Sequence, residues 1–230
     1  MRMRRKPWAR PELDACGFYI KDAPSLIGHW HEGFARKQPL HIELGCGKGG
    51  FIAVTAAENK DINYIAIDIK SEVLVLAKRN IEREFSFADT PIDNIKLFSF
   101  DIARIGMVFS EEDTAERIYI NFPNPWPKEC HKKRRLTHPR QLESYCAFLK
   151  DGGHVLFKTD DDELFGDSLE YFETAGFSVV SCIDDLYENG IPDGAAVTEH
   201  ERMFYDAGLK IHFIEAVKDE RGNATKATEE

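Results

Sequence analysis

Apolar positions along this chain follow two periods that take turns. Leu40-His41-Ile42-Glu43-Leu44 is a short strand-like run that Gly45 closes. Residues 51–57 read as a short helix, and residues 62–69, rich in Ile and Tyr, as a second strand. Ser71 caps a helix on which Leu74, Ala77 and Ile81 recur at i, i+3 and i+7. Residues 95–100 and 118–122 are strands three and four. Thr137 and Pro139 open a helix with Leu142, Tyr145, Cys146 and Leu149 on one face, and Gly152 and Gly153 end it. Residues 154–158 form a fifth strand. A helix from Asp161 then buries Phe165, Leu169 and Phe172 and stops at Gly176. Residues 177–183 and 209–217 complete seven strands. Strands in alternation with helices of ten to fifteen residues predict an α/β fold with a mostly parallel sheet and helices on both faces. Ligands of such sheets bind at the carboxyl ends of the strands. Gly45, Asp68, Asp101, the segment from Asn121 to Trp126, and Asp160 all fall just beyond strands, so they are expected on one rim.

The chain has 230 residues, 43% hydrophobic and 30% charged, as in a globular domain. The expected division is a basic arm and lead-in over 1–30, one domain over 31–218 and a loose polar tail over 219–230. No run of about 18 apolar residues is present, so no membrane helix is expected. The five cysteines form no C-x-x-C pair, and neither a disulfide frame nor a metal site is expected.

Charge changes the picture. The net charge of −10 argues against binding nucleic acid, but its distribution does not. Arg2, Arg4, Arg5, Lys6 and Arg10 stand in the first ten residues without an acid. Residues 128–135 carry five cations against Glu129. Two basic patches on an acidic body predict a localised contact with a polyanion.

Two segments carry the candidate chemistry. Glu43-Leu44-Gly45-Cys46-Gly47-Lys48-Gly49-Gly50 lies between a strand and a helix, where glycine permits a sharp turn and close approach to a ligand. Asp68, about twenty residues on, is placed to accept ribose hydroxyls. Both features suit a nicotinamide cofactor as well. Glu43 at the strand end does not, because it would repel a pyrophosphate while favouring an ammonium or sulfonium group. Asp101 is either an acceptor for an adenine amino group or a helix N-cap. The second segment is Asn121-Phe122-Pro123-Asn124-Pro125-Trp126-Pro127-Lys128, running into His131-Lys132-Lys133-Arg134-Arg135. Its alternating prolines exclude helix and force a stiff extended loop out of the sheet. It sets an aromatic platform beside cations, as the holding of a nucleotide base requires. Farther on, Thr198 and Glu201 have the spacing of a capping box.

With these motifs the chain resembles the bacterial tRNA (guanine-N7-)-methyltransferases, the TrmB-like family. The likeness rests on Glu43 to Gly49, Phe122 to Lys128, His131 to Leu136, Phe157-Lys158-Thr159-Asp160 and Thr198-Glu199-His200-Glu201. It implies a Rossmann-like class I methyltransferase fold, S-adenosylmethionine as methyl donor, and a guanine of the tRNA variable loop as target. By resemblance, Glu43, Gly45, Gly47, Asp68, Asp101 and Asn124 are cofactor positions. Lys128, Asp160, Thr198, Glu199, His200 and Glu201 are substrate positions. Asn124 and Asp160 are the catalytic pair. Lys132, Lys133, Arg134 and Arg135 are expected to grip phosphates. The family loop usually has Asp where Asn124 stands, a change that keeps an acceptor oxygen and removes a charge. A cytoplasmic monomer or weak homodimer is expected. The rival readings are a non-catalytic RNA-binding protein on the same fold and a nicotinamide-dependent oxidoreductase. Amino methylation of a base ranks lower, since Asn124-Pro125-Trp126 lacks a second proline before its aromatic residue.

Overall fold

The computed structural model of the chain describes residues 6–191 and 197–220, with the side chain of Glu199 outside that description. Seven strands form one sheet: β1 (Leu40–Leu44), β2 (Asn63–Asp68), β3 (Ile95–Ser99), β4 (Ala115–Asn121), β5 (Leu149–Thr159), β6 (Phe177–Ile183) and β7 (His212–Lys218). Their order is β3-β2-β1-β4-β5-β7-β6, parallel throughout except for β7, which runs against both β5 and β6. All five residues of β1 are buried, as a central parallel strand requires. The helices are α1 (Ala9–Asp14), α2 (Gly50–Glu58), α3 (Ser71–Phe87), α4 (Pro139–Cys146), α5 (Asp162–Thr174) and α6 (Glu199–Asp206).

Two cores flank the sheet, and side-chain alternation along β2 separates them. Ile65 and Ile67 join the core of Leu142 on α4 and Leu164 and Phe172 on α5. Tyr64 and Ala66 join that of Leu13 on α1, Ile52 on α2 and Leu74 on α3. After β3 the chain crosses to the far side of β1 to lay down β4. This reversal between β1 and β4 opens a crevice at the carboxyl ends of the strands.

Three boundaries differ from the sequence reading. Leu149 belongs to β5, where it pairs with Ala115, and α4 ends at Cys146. Gly152 and Gly153 sit at a shift of register inside the strand, where one-residue irregularities need glycine's freedom (Gly152 φ 71°). The last strand begins at His212, and Leu209 is left half exposed.

The third difference lies in the lead-in. From Lys6 it packs on the domain, so position 30 marks no seam. Leu13 is buried against α3, and Tyr19 bridges to Leu97 of β3. Trp30 is fully buried between Phe98 and Phe109, with ring centroids at 5.1 and 5.3 Å, and its indole N–H donates to the Val108 carbonyl at 2.6 Å. Arg2, Arg4, Arg5 and the tail from 221 lie outside the described residues.

Candidate active site

The crevice between β1 and β4 is a cavity of about 1410 Å³. One side is the glycine turn. The chain leaves β1 at Gly45 and enters α2 through Gly49, whose φ is +72°. A Cβ on Gly49 would meet the Cβ and Cα of Ala77 on α3 at 2.7 and 2.9 Å. Glycine is therefore needed both for the left-handed turn and for the approach of α2 to α3. We expect Gly49→Ala to lower stability by about 2–4 kcal/mol, since strain and overpacking add, read from urea unfolding midpoints at constant m-value.

Asp68 ties the turn to the end of β2. One carboxylate oxygen accepts the Gly47 N–H at 3.1 Å and the other accepts that of Lys70 at 3.0 Å. Each oxygen retains a further lone pair. Asp101 accepts the Ala103 N–H at 3.0 Å and also lines the cavity, so the N-cap and the ligand-facing position coincide.

Glu43 is the electrostatic centre of the site. It is 2% exposed. Asn121 of β4 donates its amide N–H to Oε1 at 3.0 Å, while Oε2 is buried with no hydrogen-bond partner among the described residues. Burial pushes the carboxyl up to about 8, against the counter-effect of the Asn121 bond. An orphaned carboxylate oxygen at the wall of a large cavity fits a cationic ligand group. Asn121 had no assigned role in the sequence reading. The signal was there: a polar residue ending a buried strand beside the one that carries Glu43.

The opposite side is the proline-rich segment. Its last ladder bond is from the Phe122 N–H to the Lys158 carbonyl, 2.9 Å. Beyond it Phe122 (φ 49°) and Trp126 (φ 45°) both take left-handed backbone. Asn124 Oδ1 accepts the Trp126 N–H at 3.0 Å, a side-chain turn that spends the oxygen within the loop. Asn124 and Trp126 both line the cavity. The Arg134 guanidinium lies 5.1 Å from the centre of the indole ring and His131 approaches its edge, so a base stacking on Trp126 has one face to use.

The basic run divides. Lys133 and Arg134 are exposed and line the cavity. Arg135 does not face solvent at all. It is fully buried, bound to Asp167 and Glu163 of α5 and to the Pro125 carbonyl, which corrects its reading as a phosphate contact. The short 3₁₀ turn Glu129–Arg134 ends at this residue, so Arg135 points inward while its neighbours stay outside. Lys132 is also committed. Its ammonium meets Asp167, Glu163 and Glu129 at 2.9–3.2 Å, is 21% exposed, and titrates above the ordinary lysine range because these carboxylates, Asp167 first, accept its hydrogen bonds and stabilise the protonated form.

The remaining assignments also divide. Thr198 and His200 line the cavity, with His200 packed near Phe122 (centroids 6.0 Å). Glu201 is fully buried and makes three contacts through its carboxylate. Its Oε2 accepts the Thr198 N–H at 2.6 Å, completing the capping box, and Oε1 accepts Lys158 Nζ at 2.6 Å and the Tyr187 hydroxyl at 2.7 Å. It is buried and stands outside the cavity wall, so the capping role displaces the substrate role expected of it. Asp160 and Lys128 are exposed and stand outside the cavity wall, and the side chain of Glu199 lies outside the described residues. Arg79, Asn80 and Arg83 on α3 form a wall that the sequence reading did not use.

Comparison with known proteins agrees with this geometry. A family model described as "Putative methyltransferase" matches residues 37–214. A tRNA (guanine-N(7)-)-methyltransferase of Clostridium beijerinckii is 57% identical over 95% of this chain and 100% of its own length. The protein of that name from Ruminiclostridium cellulolyticum is 54% identical over 93% of this chain and 91% of its own. Among solved structures, the 16S rRNA methyltransferase KamB aligns with a TM-score of 0.58 at 11% identity, over 80% of this chain and 89% of its own. At that identity the likeness concerns the fold.

Proposed function

On the premise that this chain belongs to the tRNA (guanine-N(7)-)-methyltransferase family of class I methyltransferases, we propose that it moves a methyl group from S-adenosylmethionine to N7 of a guanine in the tRNA variable loop. The observation that carries this reading is the opening of the Glu43 carboxylate and the Asn124–Trp126 segment into one cavity. When bound, the donor supplies an electrophilic methyl group, which the N7 lone pair can take with no proton to remove.

The chain's residues then have to bind, orient and exclude water. Glu43 Oε2 takes the donor's cationic end, with Asn121 holding the carboxylate in place. The Gly45–Gly49 turn accepts the body of the cofactor, Asp68 the ribose hydroxyls and Asp101 the adenine amino group. Asn124 and Trp126 form the wall against which the purine rests. To Asp160, exposed just past the end of β5 and outside the cavity wall, we assign the acceptance of guanine N1–H and the 2-amino group as charge builds on the ring.

The test is transfer of isotope-labelled methyl to unmodified tRNA, followed by strand cleavage specific to 7-methylguanosine. Label at another base position, or none, overturns the reading. Titration with NADH in place of the donor addresses the oxidoreductase alternative, to which Glu43 is opposed on charge. We further expect Lys133→Ala and Arg134→Ala each to weaken tRNA binding and to lower its log–log salt slope by about 1, with donor affinity unchanged. An unaltered slope in filter-binding isotherms argues against phosphate contact by these two residues.

A further inference from the structure

The proline-rich segment has little bonding of its own beyond the turn in which Asn124 Oδ1 accepts the Trp126 N–H. Pro123, Pro125 and Pro127 have no N–H to give, and the last ladder bond is at Phe122. Past that point Trp126 keeps a left-handed backbone, which persists in a residue other than glycine only where the surroundings enforce it. Besides the Asn124 side chain, a second group holds this stretch from outside it. Arg135 Nε donates to the Pro125 carbonyl at 2.7 Å, Nη2 donates to Glu163 Oε1 at 3.1 Å, and Nη1 donates to Asp167. The Pro125 carbonyl lies between Asn124 and Trp126, the two wall residues. One fully buried guanidinium thus ties the centre of the cavity wall to α5.

We propose that Arg135 is a positioning residue of the methyl-transfer site, fixing the Asn124–Trp126 wall by clamping the Pro125 carbonyl to Glu163 and Asp167. A planar fork with donors in three fixed directions serves all three acceptors at once. A lysine keeps the charge and cannot span them. Lys132 already balances the same two carboxylates from the solvent side, so the need for a second cation is geometric.

The inference rests on the methyl-transfer reading for its kinetic consequence, and its structural part is separable. The test uses full-length protein carrying 5-fluorotryptophan, with the three ¹⁹F resonances assigned by substitution. For Arg135→Lys we expect the Trp126 resonance to broaden or split and that of buried Trp30 to stay put. We expect kcat to fall at least about tenfold, the scale that a small misplacement of a reacting partner brings, with donor Kd within about twofold and KM for tRNA within about threefold. Glu163→Gln, at a half-exposed position, should show the same pattern more weakly and serves if Arg135→Lys does not fold. A folded variant with an unaltered Trp126 resonance, or one in which Trp126 and Trp30 move together, overturns the clamp. Absence of tRNA methylation by the unsubstituted protein overturns the functional reading and leaves the ¹⁹F result to decide the clamp.

Discussion

Glu43→Gln should weaken binding of S-adenosylmethionine by at least about thirtyfold at pH 8.5. The substitution is nearly isosteric, and the glutamine oxygen can still accept from Asn121, so the change isolates the charge. Removing one partner of a buried charge pair costs about 2–5 kcal/mol, from which the factor follows. The effect depends on pH in a definite direction. With its carboxyl at about 8, Glu43 is mostly protonated at pH 7 in the free protein. Donor affinity of the unsubstituted protein should therefore rise as pH rises towards 8, by up to tenfold per unit, with release of up to one proton on binding. The glutamine variant should show neither. Calorimetric titrations in buffers of different ionisation enthalpy read both quantities, and equal proton release in the two proteins would sink the assignment. Stability of the ligand-free protein runs the other way. A raised carboxyl gives the folded state its extra proton between the ordinary value of 4.5 and about 8, so its contribution is complete below that window and is lost as pH rises through it. Glu43→Gln should flatten this slope.

Trp30→Ala should lower stability by about 3–5 kcal/mol, the cost of emptying a large aromatic site in a close-packed core. Its ring is sandwiched by Phe98 and Phe109, and its N–H satisfies the Val108 carbonyl, which would be left buried without that donor. For a chain of this length the melting temperature should drop by roughly 6–20 °C. Trp30→Phe should cost less, chiefly the hydrogen bond. A melting temperature within a degree of the unsubstituted protein would show that the lead-in is held by something other than this residue.

The parts of the fold that were legible are those governed by local periodicity. β1 and β6 could be read because apolar spacing and an adjacent glycine coincide; α3 was legible from its spacing, although Ser71 is its first residue and not its cap, the N-cap being Lys70 with no side-chain bond. The glycine turn and the proline segment were legible for the same reason, since both impose backbone constraints that few alternatives satisfy. The lead-in was not. Leu13, Tyr19 and Trp30 have no common period, and each is buried by contacts with residues far along the chain. The glycine pair at 152–153 signalled a break and concealed its kind, because glycine serves a strand irregularity as readily as a helix end. Arg135 was misread for a different reason. Five cations in a row look alike, and which of them turns inward is decided by Glu163 and Asp167, some thirty residues away. Glu201 was legible as a cap but not as a buried group away from the cavity, a placement that Lys158 and Tyr187 help to set.

The lead-in has one more effect. Leu97 sits on the outermost strand of one side of the sheet, and both its backbone groups are occupied there. Its N–H donates to Phe18 at 3.0 Å and its carbonyl accepts from Ile20 at 2.8 Å. A β-border with vacant amides recruits foreign chains and seeds fibrils; this one is stoppered mid-length by the protein's own N-terminal segment. Truncating the chain from its N-terminus through Ile20 would unmask that border, and the first symptom would be turbidity in the sample tube.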